Sequence, residues 1–392
     1  MITGARATGK TSTALQHCAH VERLDQIGVA AMFRADPDAA LSRVPRPVLL
    51  DEWQEVPEVL AAVKRVVDAD PTPGQFLLTG SVRAELTNET WAGTGRIVRM
   101  NMYPISERER IGSETLDRMS FLERLAKSGI DDITAPREAI NIDGYISMAL
   151  RSGFPELFYR DRSERSRGIW LASYIDDLVT RDAASLAQAK DPAKLRRYVN
   201  AVALNNAGLP SDATVYRIAD VNAKTAAAYD QLLRNLFILD VVPAWAHNHI
   251  QRLIKSGKRY FVDTGLAAAA SGLTARIILR NDDLVGRFFD SFATAQLRAE
   301  IAISYPRPAL HHLRVDAGRH EIDLVADIGG GRIIGIEFKA SAAPSGKDAR
   351  HLFWLRDQMG ADFVAGVVVH AGPAIYELGD RVFAVPLGSM WS

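Results

Sequence analysis

The sequence predicts an α/β protein built in three parts, and the distribution of strand-like and helical patterns supports that prediction. Apolar runs typical of buried strands alternate with helical patterns through residues 1–135. Residues 136–245 are mostly helical in pattern, and strand-like runs return within residues 246–392. Strands that alternate with helices over short connections indicate a parallel sheet in the first part. A length of 392 residues fits two or three domains of ordinary size.

Composition excludes several classes of protein. The chain carries 47 Lys and Arg against 47 Asp and Glu, so bulk positive charge cannot drive binding to nucleic acid or to acidic membranes. A single cysteine, Cys18, excludes an internal disulfide framework and indicates a reducing compartment. The apolar runs at 265–273 and 363–369 are shorter than the roughly 18 residues of a membrane span. With no signal-segment pattern at the N-terminus, we expect a cytoplasmic protein with no membrane partner.

The first candidate site is a glycine-rich loop at the N-terminus. Residues 4–11 match the pattern G-x-x-x-x-G-K-[ST] at every fixed position. Gly4 and Gly9 would let backbone N–H groups turn inward around phosphate oxygens, at the positive end of the following helix. Lys10 would reach the β and γ phosphates, and the Thr11 hydroxyl would hold Mg²⁺. Taken alone, the match could also be a chance glycine-rich turn.

Two strand ends further along the chain support a nucleotide site over that alternative. The apolar run at 48–50 ends in Asp51 and Glu52. In a sheet of this kind Asp51 lies beside the loop-bound Mg²⁺, and Glu52 acts as the general base that activates water. The apolar run at 76–78 ends in hydroxyl groups, of which Ser81 could orient that water. A strand that merely precedes an acidic helix cap does not explain this pairing, so we predict a site for ATP and Mg²⁺.

Two features near this site leave alternatives open. Arg96 follows Gly95 at the end of a loop and could supply positive charge to the γ phosphate, from the same or a neighbouring subunit. It could equally be an ordinary surface arginine. Residues 1–3, which precede the loop, make about half of a strand of about six residues. We expect either that the true start lies upstream or that the central strand is short and nucleotide affinity suffers.

Short motifs occur along nearly the whole chain in a recognisable order. In the N-terminal part they are LD at 24–25, DP at 36–37, LDEWQEVP at 50–57, LTGS at 78–81, GR at 95–96 and YPISE at 103–107. In the remainder they are GFPE at 153–156, YI at 174–175, RD at 181–182, FVDTGL at 261–266, EID at 321–323 and EFK at 337–339. Together they resemble the prokaryotic AAA-type ATP-binding proteins whose C-terminal half is a domain of unknown function. The resemblance implies an AAA-type P-loop ATPase domain, a winged helix and a restriction-endonuclease-like α/β domain. It also implies some tens of residues before the glycine-rich loop.

The middle of the chain has the pattern of helix, turn and helix. Residues 212–219 and 224–235 are helical in pattern, and an apolar run follows at 238–243. This order resembles a winged helix, in agreement with the family resemblance. Lys224 and Arg234 would then contact DNA. The segment is neutral rather than basic, so a winged helix used only for packing or protein contact is the alternative.

The last part gathers charged residues on a predicted hairpin. Strand alternation brings Asp323 of one strand and Glu337 and Lys339 of the next to one edge, and Asp290 could add a ligand from the preceding helix. The order D…E-x-K is that of restriction-endonuclease-like sites. In such sites carboxylates hold Mg²⁺, and the lysine positions or deprotonates the attacking water. The alternative is a hairpin with charges on its wet face, because this spacing arises easily by chance.

These observations predict an enzyme that hydrolyses ATP with Mg²⁺ and drives its own C-terminal half. Catalysis is assigned to Lys10, Glu52, Ser81 and Arg96, and cofactor binding to the glycine-rich loop with Asp51. Nucleic acid contacted by the C-terminal half and a second copy of the chain are the expected partners. Cleavage by the nuclease-like residues is left open. The alternative function is a nucleotide-sensing adaptor that binds ATP and has no nuclease activity.

Overall fold

A computed structural model describes residues 1–82, 95–112, 119–160, 163–182, 191–208, 212–245, 257–315 and 318–392. These residues form two compact units. The first comprises Met1–Tyr103 and Gln231–Ile238, and the second comprises Pro104–Asp230 and Leu239–Ser392. This division into two units does not test the three predicted domains at 1–135, 136–245 and 246–392, which remain a prediction. In the described part of the chain, no helix combines the length and the apolar character needed to cross a membrane.

The first unit contains a five-stranded parallel sheet, which confirms the predicted parallel architecture. Its strands are β1 Ile2–Thr3, β2 His20–Arg23, β3 Val48–Asp51, β4 Phe76–Gly80 and β5 Met100–Asn101. The order across the sheet is β2-β3-β4-β1-β5. All four residues of β3 are buried, as expected for a parallel strand covered on both faces. Because the strands run in one direction, the residues that follow β1, β3 and β4 meet at one edge of the sheet.

The helices of the first unit alternate with these strands. They are α1 Lys10–Ala14, α2 Ile27–Ala35, α3 Pro37–Ser42 and α4 Val59–Ala69. Asp36 begins α3, because its Oδ1 accepts the N–H of the third helical residue at 2.9 Å and Pro37 needs no hydrogen-bond partner for its nitrogen. In α4, Val59, Leu60 and Val63 are buried at the predicted helical spacing. They share one apolar core with residues of β3, and each such side chain contributes about 1.5–3 kcal/mol on burial.

Between the first sheet and residue 235, the described residues form helices joined by loops. The helices are α5 Glu107–Ile111, α6 Phe121–Ser128, α7 Ile142–Arg151, α8 Pro155–Phe158, α9 Glu164–Asp177, α10 Pro192–Leu204, α11 Asp212–Ala219 and α12 Ala223–Asn235. Ser106 and Ser120 open α5 and α6 with capping boxes. In each, the serine hydroxyl accepts the N–H of a glutamate three residues on, whose carboxylate accepts the serine N–H. Local sequence therefore sets the start of both helices.

A two-stranded antiparallel sheet follows α10, α11 and α12. Its strands are β6 Leu239–Val242 and β7 Lys258–Phe261, and Asp240 lies opposite Tyr260. The helices predicted at 212–219 and 224–235 are present, and the apolar run at 238–243 contains β6. Residues 246–256 lie outside the described residues. The winged helix itself stays a prediction, although its expected elements occur in the expected order.

The second unit also contains a six-stranded mixed sheet. Its strands are β8 Ala309–Val315, β9 His320–Asp327, β10 Ile333–Lys339, β11 Phe363–His370, β12 Tyr376–Gly379 and β13 Val382–Pro386, in the order β12-β13-β11-β10-β9-β8. Strands β9 and β10 form the predicted antiparallel hairpin, with Gly335 opposite Val325. Gly329, Gly330 and Gly331 turn this hairpin with φ of 87°, 66° and 82°, a conformation that glycine adopts without steric cost.

Helices pack on this sheet through two apolar clusters. The remaining helices are α13 Thr264–Ser271, α14 Ala275–Ile278, α15 Asp282–Ile301 and α16 Arg350–Met359. Phe289 and Phe292 of α15 share a buried cluster with Ile334 and Ile336 of β10. A second cluster joins apolar residues of α16 with those of β9, β10 and β11. The hairpin therefore packs against α15, the helix that carries Asp290.

Candidate functional site

The glycine-rich loop has a backbone that only glycine accommodates at two points. Gly9 precedes α1 with φ of 93°, in the left-handed region that glycine favours. A Cβ at Gly4 would lie 2.2 Å from the backbone oxygen of Met102, so a side chain cannot fit there. Ala7, between them, also has a positive φ of 60°. Such a conformation costs about 1–3 kcal/mol in a residue with a side chain and is typical of ligand-binding loops.

Lys10 is buried against the loop that it follows. Its Nζ donates to the backbone oxygen of Gly4 at 3.0 Å and to that of Ala5 at 2.7 Å. Burial lowers the pKa of Lys10 to about 8, although the carboxylates of Glu52 and Asp51 act to raise it. The ammonium of Lys10 therefore donates its hydrogen bonds to neutral backbone oxygens. An anionic oxygen would be a stronger partner, because charge-assisted hydrogen bonds are about twice as strong as neutral ones.

Strand β3 brings Asp51 to the loop. Its Oδ1 accepts the hydroxyl of Thr11 at 2.8 Å and also the hydroxyl of Thr79. Thr79 lies directly opposite Asp51 in the β3–β4 register, which explains how β4 reaches this carboxylate. Asp51 is only 4% exposed. The structure therefore brings together Thr11 and Asp51, the two residues predicted to lie near Mg²⁺, and adds Thr79 as the residue that orients the carboxylate.

Glu52 lies just beyond the end of β3 in a left-handed conformation, with φ of 53°. Its Oε2 accepts the hydroxyl of Ser81 at 3.2 Å and the side-chain amide of Gln54. The predicted pair Glu52 and Ser81 is therefore in contact. Gln54 was not predicted as a site residue, although it belongs to the LDEWQEVP motif. A positive φ in glutamate is uncommon and is typical of functional sites.

An open cavity of about 480 Å³ adjoins these residues, a volume within the range of ligand pockets. Its lining comprises Arg6, Ala7, Gly9, Lys10, Thr11, Ser12, Asp25, Glu52 and Glu55. Asp25 and Glu55 belong to motifs of the resemblance but had no predicted chemistry. The cavity thus gathers the loop, its lysine and the glutamate assigned as general base around one space.

Arg96 lies elsewhere in the first unit. Its Nε donates to Asp68 Oδ1 at 2.8 Å in a partly exposed ion pair. Arg96 lines a different cavity together with Val63, Phe76 and Leu78. It is absent from the lining of the cavity beside the glycine-rich loop. This location favours the surface-arginine alternative over an arginine that contacts the γ phosphate within the same subunit.

A second group of charged residues lies within the second unit. Lys258 of β7 donates from Nζ to Asp290 Oδ2 at 2.6 Å and to Asp323 Oδ1 at 3.0 Å. Asp290 Oδ1 accepts the hydroxyls of Tyr260 at 3.0 Å and Thr294 at 3.1 Å. Asp290 and Asp323, which the sequence predicted to meet, therefore share one buried ammonium.

The predicted hairpin residues join this group. Lys339 Nζ lies 3.6 Å from Glu337 Oε2, and the backbone N–H of Phe338 donates to Asp323 Oδ2 at 3.0 Å. Glu337 is only 4% exposed, so the alternative of a hairpin with its charges facing solvent does not hold for this residue. Burial raises the pKa of Glu337 well above its usual range, and the neighbouring Asp323 carboxylate raises it further. Across the described residues, no group of three or more His, Cys, Asp and Glu side chains is arranged to hold a metal ion.

No sequence pattern singled out Lys258 or Tyr260 as a site residue. Both lie on β7, near the strand predicted at 259–262, and alternation places them on one side of it. Lys258 is also one of only ten lysines in the chain. Its carboxylate partners lie 32 and 65 residues further along, a separation that no local pattern reveals.

The residues predicted to contact DNA lie on α12. Arg234 is half-buried and donates from Nη2 to Gln231 Oε1 at 2.9 Å. Lys224 is exposed near the start of the same helix. Both side chains reach solvent, which a role in DNA contact requires and which ordinary surface residues also show. DNA contact by this helix therefore stays a prediction.

Three motifs of the resemblance meet away from both charged sites. Asp263 accepts the backbone N–H of Gly153 at 2.8 Å and that of Leu266 at 2.7 Å. Gly153 in turn accepts the N–H of Ile105 at 2.7 Å, and a Cβ on Gly153 would lie 2.4 Å from the Ile105 oxygen. The YPISE, GFPE and FVDTGL motifs therefore hold one another in place. Their role in this structure is to join segments of the second unit.

Comparison with known proteins assigns families to three stretches of the chain. Residues 1–111 match an AAA domain, residues 142–276 a domain of unknown function (DUF8612), and residues 285–390 another domain of unknown function (DUF4143). Two proteins described as uncharacterized, from Mycobacterium bovis and Mycobacterium tuberculosis, are each 27% identical over 392 residues. The alignment covers 98% of this chain and 79% of each relative. The N-terminal stretch is thus similar to an AAA domain and the C-terminal stretch to a domain of unknown function, as the resemblance implied in outline.

Proposed function

We propose that this protein is a Mg²⁺-dependent ATPase whose hydrolysis cycle acts on its own C-terminal half. The observation that supports this most directly is that Lys10, Thr11 and Glu52 line one open cavity at the edge of a parallel sheet. Thr11 also donates to the buried carboxylate of Asp51. The match of residues 1–111 to an AAA domain supports the same proposal.

The glycine-rich loop is proposed to bind the phosphates of ATP. The ammonium of Lys10 would leave the backbone oxygens of Gly4 and Ala5 for phosphate oxygens, which offer charge as well as a lone pair. The positive φ of Gly9 turns the backbone just before α1, where N–H groups lack partners within the helix. Binding would thereby stabilise a lysine whose burial now opposes its charge.

The oxygens beside Lys10 fit Mg²⁺. The Thr11 hydroxyl and the Asp51 carboxylate are the hard oxygen donors that this ion prefers, and they lie within 2.8 Å of each other. When bound, Mg²⁺ would neutralise negative charge on the β and γ phosphate oxygens. Thr79 would keep the Asp51 carboxylate oriented toward the loop, since its hydroxyl donates to the same oxygen.

Glu52 is proposed to accept the proton of the attacking water. Ser81 and Gln54 both donate to Oε2, so they fix the orientation of the carboxylate, and Oε1 is the oxygen that we assign to the water. A general base of this kind contributes about 10²–10⁴-fold to the rate. A phosphotransferase would not need it, because its acceptor is not water.

A nucleotide-sensing adaptor is the second candidate. The acidic residues of the second unit favour it over an ATP-driven nuclease, because Asp290 and Asp323 are already hydrogen-bonded to Lys258. In this alternative ATP binds, the C-terminal half changes partner, and no phosphodiester is cleaved. The predicted contact with nucleic acid and the predicted assembly of several copies belong to either candidate.

Turnover and binding of ATP, measured on the same samples, test the proposal. Lys10→Ala should lose both, and Glu52→Gln should keep binding while turnover falls by about 10²–10⁴-fold. Lys64→Ala, which removes a partly exposed lysine of α4 paired with Asp68, is the matched control and should change neither. Wild-type binding without any turnover would instead establish the adaptor.

Nucleic-acid action is tested separately. Affinity for duplex DNA that depends on Lys224 and Arg234 should fall as salt rises, because phosphate contacts release counterions. Binding that does not weaken with salt would count against such contacts. Magnesium-dependent cleavage that disappears in Glu337→Ala and Lys339→Ala would add a nuclease to the proposed function.

A further inference from the structure

The acidic cluster of the second unit comprises Asp290, Asp323 and Glu337 with Lys258 and Lys339. It has the residue types of a metal-dependent nuclease site. Whether it fits a divalent metal can be decided oxygen by oxygen, because Mg²⁺ needs about six oxygen ligands at roughly 2.0–2.1 Å.

Each of the four carboxylate oxygens of Asp290 and Asp323 already accepts at least one hydrogen bond. Asp290 receives Lys258 on Oδ2, and Tyr260 and Thr294 on Oδ1. Asp323 receives Lys258 on Oδ1 and a backbone N–H on Oδ2. Among the described carboxylate oxygens of the cluster, Oε1 of Glu337 is buried without a hydrogen-bond partner. A divalent cation would therefore compete with an existing donor at every aspartate oxygen of the cluster.

The ammonium of Lys258 also occupies the position that a bridging metal would need. Its Nζ lies 2.6 Å from one aspartate and 3.0 Å from the other, so a cation bound to both oxygens would overlap it. Lys258 is only 3% exposed. The ring of Tyr260 lies 5.5 Å from Nζ, and the guanidinium of Arg298 covers the same ring. Displacement of Lys258 would leave a buried ammonium without a partner, which is strongly unfavourable.

We propose that Lys258 is the resident cation of the acidic cluster, so that the native protein binds no divalent metal there. The ion pair then stabilises the junction of β7, β9 and α15. This inference does not depend on ATP hydrolysis, because it concerns only contacts within the second unit. It also assigns a role to a lysine in the DUF8612 stretch, whereas its carboxylate partners belong to the DUF4143 stretch.

Binding of Mn²⁺ to the full chain without nucleotide, followed by electron paramagnetic resonance of the free ion, tests this proposal. Wild type and Asp323→Asn should bind Mn²⁺ equally, since neither offers a site in the acidic cluster. Lys258→Met removes the ammonium but keeps the length of the side chain. The Lys258→Met protein should gain a Mn²⁺ site at least about ten-fold tighter than any in wild type. The double variant Lys258→Met with Asp323→Asn should lack this site. Lys339→Met is the matched control, because it removes a charge that does not bridge the aspartates, and it should gain nothing.

Two results would overturn the proposal. One is a wild-type Mn²⁺ site that disappears in Asp323→Asn. The other is a Lys258→Met protein with the wild-type circular dichroism spectrum that gains no site. If Lys258→Met does not fold, the comparison of wild type with Asp323→Asn decides alone, since equal binding supports the proposal and lost binding refutes it.

Discussion

Two buried lysines of this chain differ in what they contact. Lys10 donates to two neutral backbone oxygens beside an open cavity, and burial lowers its pKa to about 8. Burial acts to lower the pKa of Lys258 as well, but Asp290 and Asp323 together raise it well above its usual range. The first lysine gains a charged partner only when an anion enters the cavity, whereas the second already has its partners.

The carboxylates at the two sites differ in the same way. Asp51 accepts the hydroxyls of Thr11 and Thr79, which leave its negative charge in place for a cation. Asp290 and Asp323 share an ammonium that neutralises charge within the protein. Similar residue types thus serve ligand binding at one site and internal pairing at the other. The hydrogen-bond donors around a carboxylate, rather than the carboxylate itself, decide between these uses.

The largest effect is expected when the internal pair is broken. Asp290→Ala leaves Lys258 with one carboxylate and removes the acceptor of Tyr260 and Thr294. It should lower the free energy of unfolding by about 3 kcal/mol, because half of a buried ion pair is left. Urea unfolding followed by tryptophan fluorescence measures this. Asp283→Ala, on the same helix but exposed and paired with Arg287, should change nothing. Equal stability of the two variants would contradict the internal-pair interpretation.

A pH titration should separate Lys10 from Lys258. Phosphate binding requires the Lys10 ammonium, and the pKa of this group is lowered to about 8 in the free protein. ATP affinity should therefore be nearly constant below about pH 8 and should fall by up to about ten-fold per pH unit above it. Isothermal titration calorimetry between pH 7 and 9.5 measures this. Lys10→Arg keeps its charge at every pH, so its affinity, though weaker, should stay flat. A wild-type profile that is also flat would contradict the lowered pKa.

Glu337→Gln should stabilise the protein by about 1 kcal/mol at neutral pH, because it removes the need to bury an acid that is partly unpaired. The pKa of Glu337 is higher in the folded chain than in an unfolded chain, where it is about 4.3. The protonated group therefore favours the folded state below about pH 4.3, and this contribution to stability is lost as the pH rises through the folded-state pKa. The advantage of Gln over Glu should thus grow with pH. Thermal melting at pH 5, 6 and 7 measures it. Glu321→Gln, at a partly exposed residue beside Arg314, should show no such trend. A wild type more stable than Glu337→Gln at pH 7 would refute the expected cost of burying Glu337.

The smallest effect is expected at Arg96. Its guanidinium is paired with Asp68 and lines another cavity, so Arg96→Ala should leave ATP affinity unchanged. Turnover should change by less than about two-fold, which corresponds to a change of about 0.4 kcal/mol in the activation free energy. Steady-state kinetics with Asp68→Ala as the paired control measures this. A large loss of turnover in Arg96→Ala alone, with affinity intact, would restore Arg96 as an arginine that contacts the γ phosphate.

Much of the fold follows from local patterns. The apolar run at 48–50 became a fully buried parallel strand because no polar side chain interrupts it. The helices at 212–219 and 224–235 were predictable from their spacing, and the GGG turn set the hairpin of β9 and β10. The division into units was not predictable, since Gln231–Ile238 groups with residues far away in the chain. Such grouping depends on long-range packing that spacing does not encode.

The candidate site was predictable where the motif and the strand ends share one edge of the sheet. Lys10, Thr11, Asp51 and Glu52 meet because parallel strands deliver their following residues to the same side. Lys258 was not predictable, because its role depends on a lysine of one small sheet meeting a helix and a strand that come later in the chain. The carboxylates of the acidic cluster were visible in the sequence, but the cation that pairs with them was not.

Phosphate release from ATP, measured for wild type and Glu52→Gln with ATP binding recorded in parallel, decides whether the protein is an ATPase with Glu52 as its general base. We expect Mg²⁺-dependent turnover by wild type, and unchanged binding with about 10²–10⁴-fold slower turnover in Glu52→Gln. Equal turnover in both proteins would show that Glu52 is not the general base. Binding by wild type with no turnover would contradict the proposed ATPase and leave a nucleotide-binding adaptor.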